Sequence, residues 1–371
     1  MKVLHILNEL RPSGAEVMLR IAGPLWKEHG VECGVLATGA AVGPFADQLA
    51  QAGYTIHHLP RTKTPAHFMA VARLVREHGY SVVHQHVEGA GYWYSTAALA
   101  ASAGVVRTIH NNFLFSGWLR WVRGFQRRHL SRRGVVFAAI APGVQANEKQ
   151  RFGLPTRLVI NWIDDRFMAP ASGAERQKAR RQFGFSDNDF VLVSVGNCSH
   201  VKNHSLVLDA MARCSDLAQL RYLHMGVEEE GEPERRHAGT LGLGQRVLFA
   251  GWSPDALPAL RAADAYIMPS LFEGLTLAAL EALATGLPAL LAASPGLKDL
   301  EAFFPNLLYF DLHAQNAEQA IRTLAGEGPD ARTERGRAYP GICKSHFSAR
   351  RGVNDYVQLY KESSRAPLQV R

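Results

Sequence analysis

The stretch PSLFEGLTLAALEALATGLP, residues 269–288, says more about the fold than any other part of the chain. It places two carboxylates, Glu273 and Glu281, eight positions apart, with Glu-Gly before a predicted helix and Gly-x-Pro after it. Eight residues are just over two helical turns, so both carboxylates lie near one helix face, about 12 Å apart along the axis. Glu281 falls among apolar residues, where an unpaired carboxylate is costly, while Glu273 lies beside backbone N–H groups suited to a phosphate. The pattern predicts a diphosphate ligand whose hydroxyl groups are held by a carboxylate at each end.

Short apolar segments alternate with helical ones on both sides of this stretch. The predicted strands are 3–7, 31–37, 55–59, 82–86, 106–110, 136–140 and 158–160, then 190–195, 220–225, 247–250, 265–268, 289–292 and 308–310. Such alternation predicts parallel sheets covered by helices on both faces. A polar stretch from Asp164 to Asp189 is expected to link the two halves. Ligands of such sheets bind beyond the carboxyl ends of the strands.

Composition limits the class of protein. The 371 residues are 47% hydrophobic and 20% charged, as expected for two globular domains with ample core. The four cysteines lack metal-binding spacing and predict reduced thiols in a cytoplasmic protein. We expect neither a signal peptide nor a membrane span, because no apolar run is long enough. The net charge of +8 favours an anionic partner: a nucleoside diphosphate, nucleic acid or an acidic membrane surface.

The helix with two carboxylates resembles the Glu-x7-Glu motif of retaining GT-B glycosyltransferases, a family that includes many bacterial polysaccharide and lipopolysaccharide enzymes. The spacing, the Gly after the first Glu and the Gly-x-Pro after the second all match. The resemblance implies that Glu273 binds the donor sugar and Glu281 the ribose. It also implies that Gly274, Leu275 and Thr276 bring the start of the helix to the donor. The alternative is a capping Glu followed by an ordinary surface helix.

The same resemblance implies the fold class: α/β, with two Rossmann-like domains facing across a cleft, the GT-B fold. Residues 1–165 would form an acceptor domain and residues 166–347 a nucleotide-sugar donor domain. Residues 348–371 would form a C-terminal helix that returns to the first domain.

A loop after the first predicted strand resembles the Gly-Gly-x-Glu start of this family, with Ser13 in place of the first Gly. Gly14 lets the backbone approach a ligand closely, and the N–H groups that follow favour an anion. The resemblance implies that Gly14 lies near the donor phosphates and that Glu16 helps to frame the acceptor site. A plain turn before a helix is the alternative.

Histidines end two predicted strands of the first half. His110 ends one of them and matches the family's Thr-x-His, which implies contact with the sugar or the acceptor. An imidazole can hydrogen-bond a sugar hydroxyl or a phosphate. His84 and His86 end another strand, and one of the two should face the cleft; we assign His86 to the acceptor site. The chain has sixteen histidines, so a structural role is the alternative for each.

The segment from Gly196 to Asn203 resembles the family's Gly-Arg-x-x-x-x-Lys-Gly, whose Arg and Lys clamp the donor diphosphate. Lys202 matches the Lys, and a flexible ammonium group is a good partner for phosphate. Asn197 replaces the Arg, which implies weaker binding or a charge supplied by His200 or Arg11. The alternative for Lys202 is a solvated loop residue.

Two further segments of the second half bear on the site. The resemblance implies that the backbone near Gly251 and Trp252 holds the nucleotide base. Asp187 and Asp189 form a DxD triplet, a pattern that binds a divalent metal in other glycosyltransferases. Because it precedes a predicted strand at the end of the polar stretch, we interpret it as a turn and predict no metal site.

A basic stretch stands out in the first half, since residues 89–147 contain no acidic residue. Its aromatic anchors are Trp118, Trp121 and Phe125, and its seven arginines are Arg107, Arg120, Arg123, Arg127, Arg128, Arg132 and Arg133. The mixture at helical spacing favours a helix that recruits the acceptor, through Arg123 and Arg127, or contacts an anionic membrane surface. A solvated basic face is the alternative. Nucleic acid is not expected, because no fold pattern for binding it is present.

The implied reaction moves a sugar from a nucleoside diphosphate to an acceptor hydroxyl and keeps the anomeric configuration. The resemblance implies His110, Lys202 and Glu273 as catalytic residues, with neither a metal nor a cofactor besides the donor substrate. The acceptor would be a glycan, a lipid-linked sugar or a small molecule. The expected location is the cytoplasm, with peripheral attachment to the inner membrane face as an option. A nucleotide-sugar epimerase and a non-catalytic binding protein for sugar nucleotides or lipid surfaces remain alternatives.

Overall fold

The structure, a computed structural model, describes residues 1–365 and divides the chain into two compact units. The first unit comprises Met1–Trp162 together with the segment that begins at Ser348, and the second comprises Ile163–Phe347. Of the predicted C-terminal helical segment 348–371, residues 366–371 lie outside the described residues.

The first unit is built on a seven-stranded sheet in which every adjacent pair of strands is parallel. Its strands are β1 (Lys2–Leu7), β2 (Glu32–Ala37), β3 (Thr55–His58), β4 (Val82–Gln85), β5 (Gly104–Ile109), β6 (Val136–Ala139) and β7 (Arg157–Leu158). Its helices are α1 (Gly14–Glu28), α2 (Ala46–Gln51), α3 (Pro65–Glu77), α4 (Gly91–Ala100), α5 (Gly117–Arg132), α6 (Pro142–Phe152) and the last helix of the chain, α15 (Ala349–Arg365). The five strands between the edge strands β3 and β7 are largely buried on both faces, which is typical of a parallel sheet between layers of helices.

The second unit repeats this plan with a six-stranded parallel sheet. Its strands are β8 (Phe190–Val195), β9 (Leu220–Met225), β10 (Val247–Phe249), β11 (Ala265–Met268), β12 (Ala289–Ala292) and β13 (Leu308–Phe310). Its α-helices are α7 (Gly173–Phe183), α8 (Ser205–Arg213), α9 (Pro233–Thr240), α10 (Leu257–Ala262), α11 (Leu277–Ala284), α12 (Ala314–Gly326), α13 (Pro329–Gly336) and α14 (Tyr339–His346). Three short 3-10 turns are Asp165–Phe167, Gly244–Arg246 and Lys298–Ala302.

Strand order locates the expected binding edge of each sheet. The first sheet runs β3-β2-β1-β4-β5-β6-β7 and the second runs β10-β9-β8-β11-β12-β13. In each order the strand numbers first fall and then rise. The change comes between β1 and β4 in the first sheet and between β8 and β11 in the second. Ligands of doubly wound sheets bind at such switch points, beyond the carboxyl ends of the strands. The predicted class of two Rossmann-like α/β domains is confirmed.

Helix α15 returns to the first unit, as predicted, and packs on β5 and α1. The ring of Trp162 lies edge-on to Tyr356 of this helix at 5.9 Å, and its Nε1 donates a hydrogen bond of 3.1 Å to the Met18 carbonyl. A β-carbon added at Gly352 would overlap the same ring. Trp162 therefore anchors the returning helix.

The polar stretch that the sequence suggests as a linker is part of the second unit. Its helix α7 packs against α10. Arg176 and Arg180 of α7 pair with Asp264 at 2.7 and 3.2 Å. The linker prediction is therefore wrong. The stretch is polar because it contains a helix with a charged face, and ion pairs join that helix to Asp264, just before β11.

Two composition-based expectations concern membranes and thiols. Across residues 1–365, no helix combines the length and apolar character needed to cross a bilayer. All four cysteines are buried and free. Burial raises the pKa of Cys198 and of Cys343 to about 12, so these thiols stay protonated and unreactive at neutral pH.

We predict that Gly352→Ala destabilises the first unit by about 1–3 kcal/mol, because the new methyl group must displace the Trp162 ring. Urea unfolding measures this. The control is Gly341→Ala in α14, where an added β-carbon meets nothing within 4 Å, and this variant should not lose stability. Combining Gly352→Ala with Trp162→Leu should cost less than the sum of the two changes. Equal stability of Gly352→Ala and wild type would contradict the close fit.

Candidate functional site

The switch point of the second sheet brings together two residues singled out by the sequence. Lys202 lies in the loop after β8 and Glu273 in the loop after β11. The Lys202 ammonium donates a hydrogen bond of 2.7 Å to Glu273 Oε1, and both side chains are partly exposed. A cation and a carboxylate thus meet where a ligand of this sheet is expected.

Backbone contacts fix the loop that carries Glu273. Its N–H donates to the Pro295 carbonyl at 2.9 Å, and the N–H of Leu271 donates to the Val201 carbonyl at 2.9 Å. Gly296 has a φ of +85°, and a β-carbon there would overlap the carbonyl oxygens of Glu273 and Gly274. The close approach therefore requires glycine at position 296.

The loops after β8, β9 and β10 are joined in the same way. Asn197 Oδ1 accepts a hydrogen bond of 2.9 Å from the Val227 N–H, so this side chain braces the next loop. The Gly226 N–H donates to the Gly251 carbonyl at 3.0 Å, and Gly251 has a φ of +71°. Beside it the Trp252 ring is half-exposed at this edge, where a flat ligand group can stack.

Glu281 and the start of α11 lie close by. Tyr266 of β11 is buried, and its pKa is raised by burial and then by the charges of Glu273 and Glu281. Glu281 lies on α11, and the charges of both carboxylates therefore act on the same buried ring. The helix begins at Leu277, after Thr276 as its N-cap, and no hydrogen bond from the Thr276 side chain caps it. Leu275 and Thr276 are buried and Gly274 is half-buried, so it is chiefly the backbone of this turn that is available to a ligand.

The first unit has its own switch point, where α1 follows β1. Gly14 is exposed at the first position of α1. Glu16 is buried and accepts a hydrogen bond from the Ser13 hydroxyl. Burial raises the pKa of Glu16, and the Ser13 hydrogen bond opposes that rise. In this structure Glu16 braces the turn before α1, while Gly14 remains accessible.

Four histidines cluster on and just beyond the strands β1, β4 and β5: His5 in β1, His84 in β4, His86 after β4 and His110 after β5. His86 Nδ1 lies 2.9 Å from His110 Nε2, and His86 Nε2 lies 3.2 Å from His5 Nδ1. His84 turns the other way, with its two ring nitrogens each 2.7 Å from a hydroxyl, one of Tyr360 and one of Thr108. His86 is half-buried and His84 is buried, so His86 is the one of the pair that reaches His110.

Burial keeps this cluster uncharged. It lowers the pKa of His110 to about 4 and that of His5 to about 3. For His84 and His86, burial and the neighbouring rings hold the pKa well below the ordinary value. At neutral pH each ring is therefore a neutral imidazole with one donor and one acceptor.

Among the described residues, one group of three has the spacing of metal ligands: His5, His84 and His86, whose ring nitrogens lie within 4.8 Å of one another. The hydrogen bonds do not suit a metal, however. Both nitrogens of His84 already bond to hydroxyls, and His86 bonds to a histidine on each side. The cluster is better described as a hydrogen-bonded network.

Arg127, which the sequence assigns with Arg123 to recruitment of the acceptor, lies inside the first unit. Its side chain is 0% exposed and pairs with Glu148 at 2.7 Å and with Glu88 at 3.1 Å. Arg107 pairs with Glu88 at 2.5 Å. The number of arginines along a helix does not show which of them point into the protein. The carboxylates that pair with Arg127 lie outside α5, so the sequence of the helix gives no sign of them. Arg123 is half-buried, and its guanidinium donates to the Gly89 carbonyl at 3.2 Å.

The DxD triplet lies before β8, at the amino end of that strand, whereas Lys202 follows its carboxyl end. Asp189 Oδ2 accepts hydrogen bonds from the Ser186 N–H at 2.7 Å and from its hydroxyl at 2.9 Å. Asp189 Oδ1 pairs with Arg221 at 3.1 Å. These contacts give Asp189 a role in the turn.

Sequence reasoning missed three residues that shape these edges: His5, Gly226 and Gly296. For Gly296 the available signal was the Pro-Gly pair just after a predicted strand. For His5 it was a polar residue within an otherwise apolar strand. Gly226 gave no distinctive signal, because its closeness to the Gly196 carbonyl depends on pairing between β8 and β9.

Comparisons with known proteins agree with these two units. Residues 12–167 match the family Glycosyltransferase Family 4, and residues 175–336 match the family Glycosyl transferases group 1. EpsF of Bacillus subtilis (strain 168), named as a glycosyltransferase, is 27% identical over 79% of this chain and 79% of its own. The Escherichia coli UDP-Gal:alpha-D-GlcNAc-diphosphoundecaprenol alpha-1,3-galactosyltransferase is 26% identical over 60% of each chain.

Among solved structures, Anabaena HepE in complex with UDP and glucose has a TM-score of 0.81. It is 21% identical, and the match covers 97% of this chain and 99% of HepE. Neither an epimerase nor a non-catalytic binding protein is favoured by these matches. The chain therefore belongs to the GT-B glycosyltransferases, with a Family 4 unit followed by a group 1 unit.

Proposed function

We propose that this chain transfers a sugar from a nucleoside diphosphate sugar to an acceptor hydroxyl with retention of anomeric configuration, in the synthesis of a cell-surface glycan or glycoconjugate. The observation that carries the proposal is the Lys202–Glu273 pair at the switch point of the second sheet. An ammonium group suits the donor diphosphate and a carboxylate suits sugar hydroxyls, so both halves of such a donor find a partner there.

Donor binding would separate the two side chains of this pair. Lys202 turns to the diphosphate, and Glu273 then accepts hydrogen bonds from the sugar. Glu281 accepts hydrogen bonds from the ribose, and the uncapped N–H groups at the start of α11 face the phosphates. Trp252, half-exposed beside Gly251, would contact the base. Asn197 adds no charge, so the diphosphate depends more heavily on Lys202.

In the proposed reaction the bond from the anomeric carbon to the phosphate oxygen breaks. A bond to the acceptor oxygen forms on the same face of the sugar, and the acceptor proton passes to the departing diphosphate. Lys202 and the first turn of α11 stabilise the developing negative charge. No metal and no cofactor enters this scheme, and the contacts of Asp189 within its turn are in keeping with that. HepE is described with UDP and glucose, which supports a uridine nucleotide as the first donor to test.

The acceptor is proposed to be lipid-linked and approached at a membrane surface. The name of the Escherichia coli relative gives a diphosphoundecaprenol sugar as its acceptor. Helix α5 exposes large aromatic side chains: Trp118 is 81% exposed, Trp121 71% and Phe125 61%. Trp93 of α4 and Met69 of α3 are exposed as well. Helix α4 packs against both α3 and α5. Exposed aromatic rings among cations are typical of a helix that lies in a membrane interface.

The charge of α5 suits an anionic surface. Its outward arginines are Arg120, Arg128 and Arg132, whereas Arg127 is neutralised inside the unit. Each cation near an anionic bilayer contributes about 1 kcal/mol, and salt screens the attraction. We propose peripheral attachment through this face, which would concentrate the enzyme near its acceptor.

The first prediction from this proposal concerns turnover. With UDP-sugars and synthetic lipid diphosphate sugar acceptors, we expect acceptor-dependent UDP release and an α-linked product from an α-linked donor, read by proton NMR. A β-linked product would contradict retention. Conversion of the donor to an epimer without acceptor would favour the epimerase, and nucleotide binding without turnover would favour a binding protein.

Lys202→Ala should then lower kcat/KM by about 100-fold or more, the scale of losing one strong electrostatic donor. Lys178→Ala, an exposed lysine on α7 of the same unit, is the matched control and should leave kcat/KM unchanged. Near wild-type turnover by Lys202→Ala would remove this residue from the mechanism.

A further prediction is that excess EDTA leaves the rate unchanged, because the charge on the leaving diphosphate is met by Lys202 and a helix N-terminus. The measurement is UDP release after dialysis against chelator. As a control, Asp187→Asn should be as active as wild type with and without EDTA. Loss of activity that Mg²⁺ or Mn²⁺ restores would overturn this and return attention to the DxD triplet.

We also predict that the protein sediments with vesicles of phosphatidylcholine and phosphatidylglycerol at low salt. Reversing Arg120, Arg128 and Arg132 to Glu should weaken this binding by ~100-fold or more, at about 1 kcal/mol per charge. Affinity for UDP, measured by titration calorimetry, should not change, because these residues lie in the other unit.

The matched control reverses Lys178, Arg181 and Lys344, three exposed cations of the second unit, and should keep vesicle binding. It carries the same change in net charge, so a loss in both variants would indicate a general charge effect. A wild-type protein that ignores anionic vesicles at low salt would leave α5 as a solvated face or a site for a soluble acceptor.

A further inference from the structure

Three imidazoles form a line from the sheet interior to its binding edge. His5 of β1 contacts His86, in the loop after β4, and His86 contacts His110, in the loop after β5. The nitrogen pairs are His5 Nδ1 with His86 Nε2 at 3.2 Å and His86 Nδ1 with His110 Nε2 at 2.9 Å. His5 is fully buried, whereas His86 and His110 are half-buried.

The middle ring couples the two contacts. A neutral imidazole carries one N–H donor and one acceptor nitrogen, so His86 can donate to only one of its two neighbours. Both hydrogen bonds must therefore run in the same direction along the line. The protonation of His5 Nδ1 then fixes which nitrogen of His110 carries hydrogen, although the two residues do not touch.

The buried end of the line favours one direction. His5 Nε2 is buried and has no hydrogen-bond partner within the part of the chain that the structure describes. If the bonds ran inward, this nitrogen would carry a buried hydrogen that no described residue accepts. Orphaned buried N–H groups are rarer in proteins than acceptors left unsatisfied. The outward direction leaves only an unshared lone pair at this position.

We propose that His5 and His86 are positioning residues that hold His110 as its Nδ1–H tautomer, so that His110 offers a hydrogen-bond donor and not a base at the carboxyl edge of the first sheet. His5 Nδ1–H donates to His86 Nε2, and His86 Nδ1–H donates to His110 Nε2. His110 Nδ1–H then points away from the line, and none of the described residues accepts a hydrogen bond from it.

The use of this donor rests on the proposed glycosyl transfer. A neutral N–H group binds an oxygen of a sugar hydroxyl or a phosphate and removes no proton from the acceptor. The assignment agrees with a reaction in which the departing diphosphate takes that proton. It also explains why the hydrogen-bond partner of His110 is another histidine: a carboxylate in place of His86 would favour a charged His110.

The first test reads the tautomer directly. Long-range ¹H–¹⁵N spectra of the full-length protein with labelled histidine, assigned with His110→Gln, should give His110 a protonated Nδ1 and an unprotonated Nε2. His5→Leu removes the first donor and should shift His110 toward the other tautomer. His5→Asn keeps a side-chain N–H for His86 and should preserve the wild-type pattern. The control His29→Gln, at an exposed histidine of the same unit, should change nothing.

The second test uses turnover. The amide nitrogen of Asn takes the place of histidine Nδ1, and the amide nitrogen of Gln takes the place of Nε2. His86→Asn therefore keeps an N–H donor toward His110, and His86→Gln does not. His86→Gln should lower kcat by about 10- to 100-fold, and His86→Asn should retain clearly more of it. Affinity for UDP should match wild type in both variants, since a general loss of folding would lower it as well.

The outcomes separate the two proposals. A protonated Nε2 on His110 in the wild-type protein, or a tautomer indifferent to His5→Leu, overturns the positioning role whatever the activity. Equal kcat for His86→Gln and His86→Asn overturns its contribution to the reaction. Absence of sugar transfer with the predicted tautomer present would instead overturn the proposed function and leave the tautomer assignment standing.

Discussion

Parallel strand pairing is the constraint on which the candidate donor site depends. In the second sheet the strands β10, β9, β8, β11 and β12 all point the same way, so every loop at their carboxyl ends emerges at one edge. Residues distant in sequence, such as Lys202, Gly251 and Glu273, come to that edge without any local signal linking them. Backbone hydrogen bonds then tie each loop to the next. The edge is a continuous rim and not a set of independent loops.

In the first unit, buried polar side chains of the sheet bond to the last helix of the chain. Its interior holds neutral histidines beside hydroxyls of α15, so the last helix of the chain completes the surroundings of residues near its binding edge. Tyr360 bonds to His84, and Tyr356 bonds to Thr108 at 2.7 Å. Leaving one of these buried groups without its partner costs about 1–3 kcal/mol. The helix therefore contributes to the polar network as well as to the apolar core.

Sequence periodicity was sufficient for the sheets, because buried parallel strands are short apolar runs between helices. Five strands of the second unit, β8, β9, β11, β12 and β13, have the predicted bounds. For the edge strand β7 the sequence predicts 158–160, whereas the strand lies at Arg157–Leu158, since weak pairing at an edge leaves its ends to local contacts. Motif spacing identified Lys202 and Glu273, whose loops come together.

Other features could not be read from the chain, because they depend on tertiary neighbours. Asn197 stands where the motif has a cation, and its carbonyl oxygen accepts a hydrogen bond from Val227 of the neighbouring loop. Arg127 belonged to a run of like charges, and only the fold reveals the carboxylates that face it. His5 lay inside a predicted strand, with nothing to indicate the ring it meets.

The buried pairs of Arg127 and Arg107 with Glu88 and Glu148 have a consequence for which positions of α5 can change. They hold α5 from within the unit. A position such as Trp118, whose side chain is exposed, can accept another residue with little effect on the fold. A neutral residue at position 127 would instead leave Glu148 and Glu88 without a cation inside the unit, and an unpaired buried carboxylate is costly. Tolerance to substitution therefore differs sharply between the two sides of one helix.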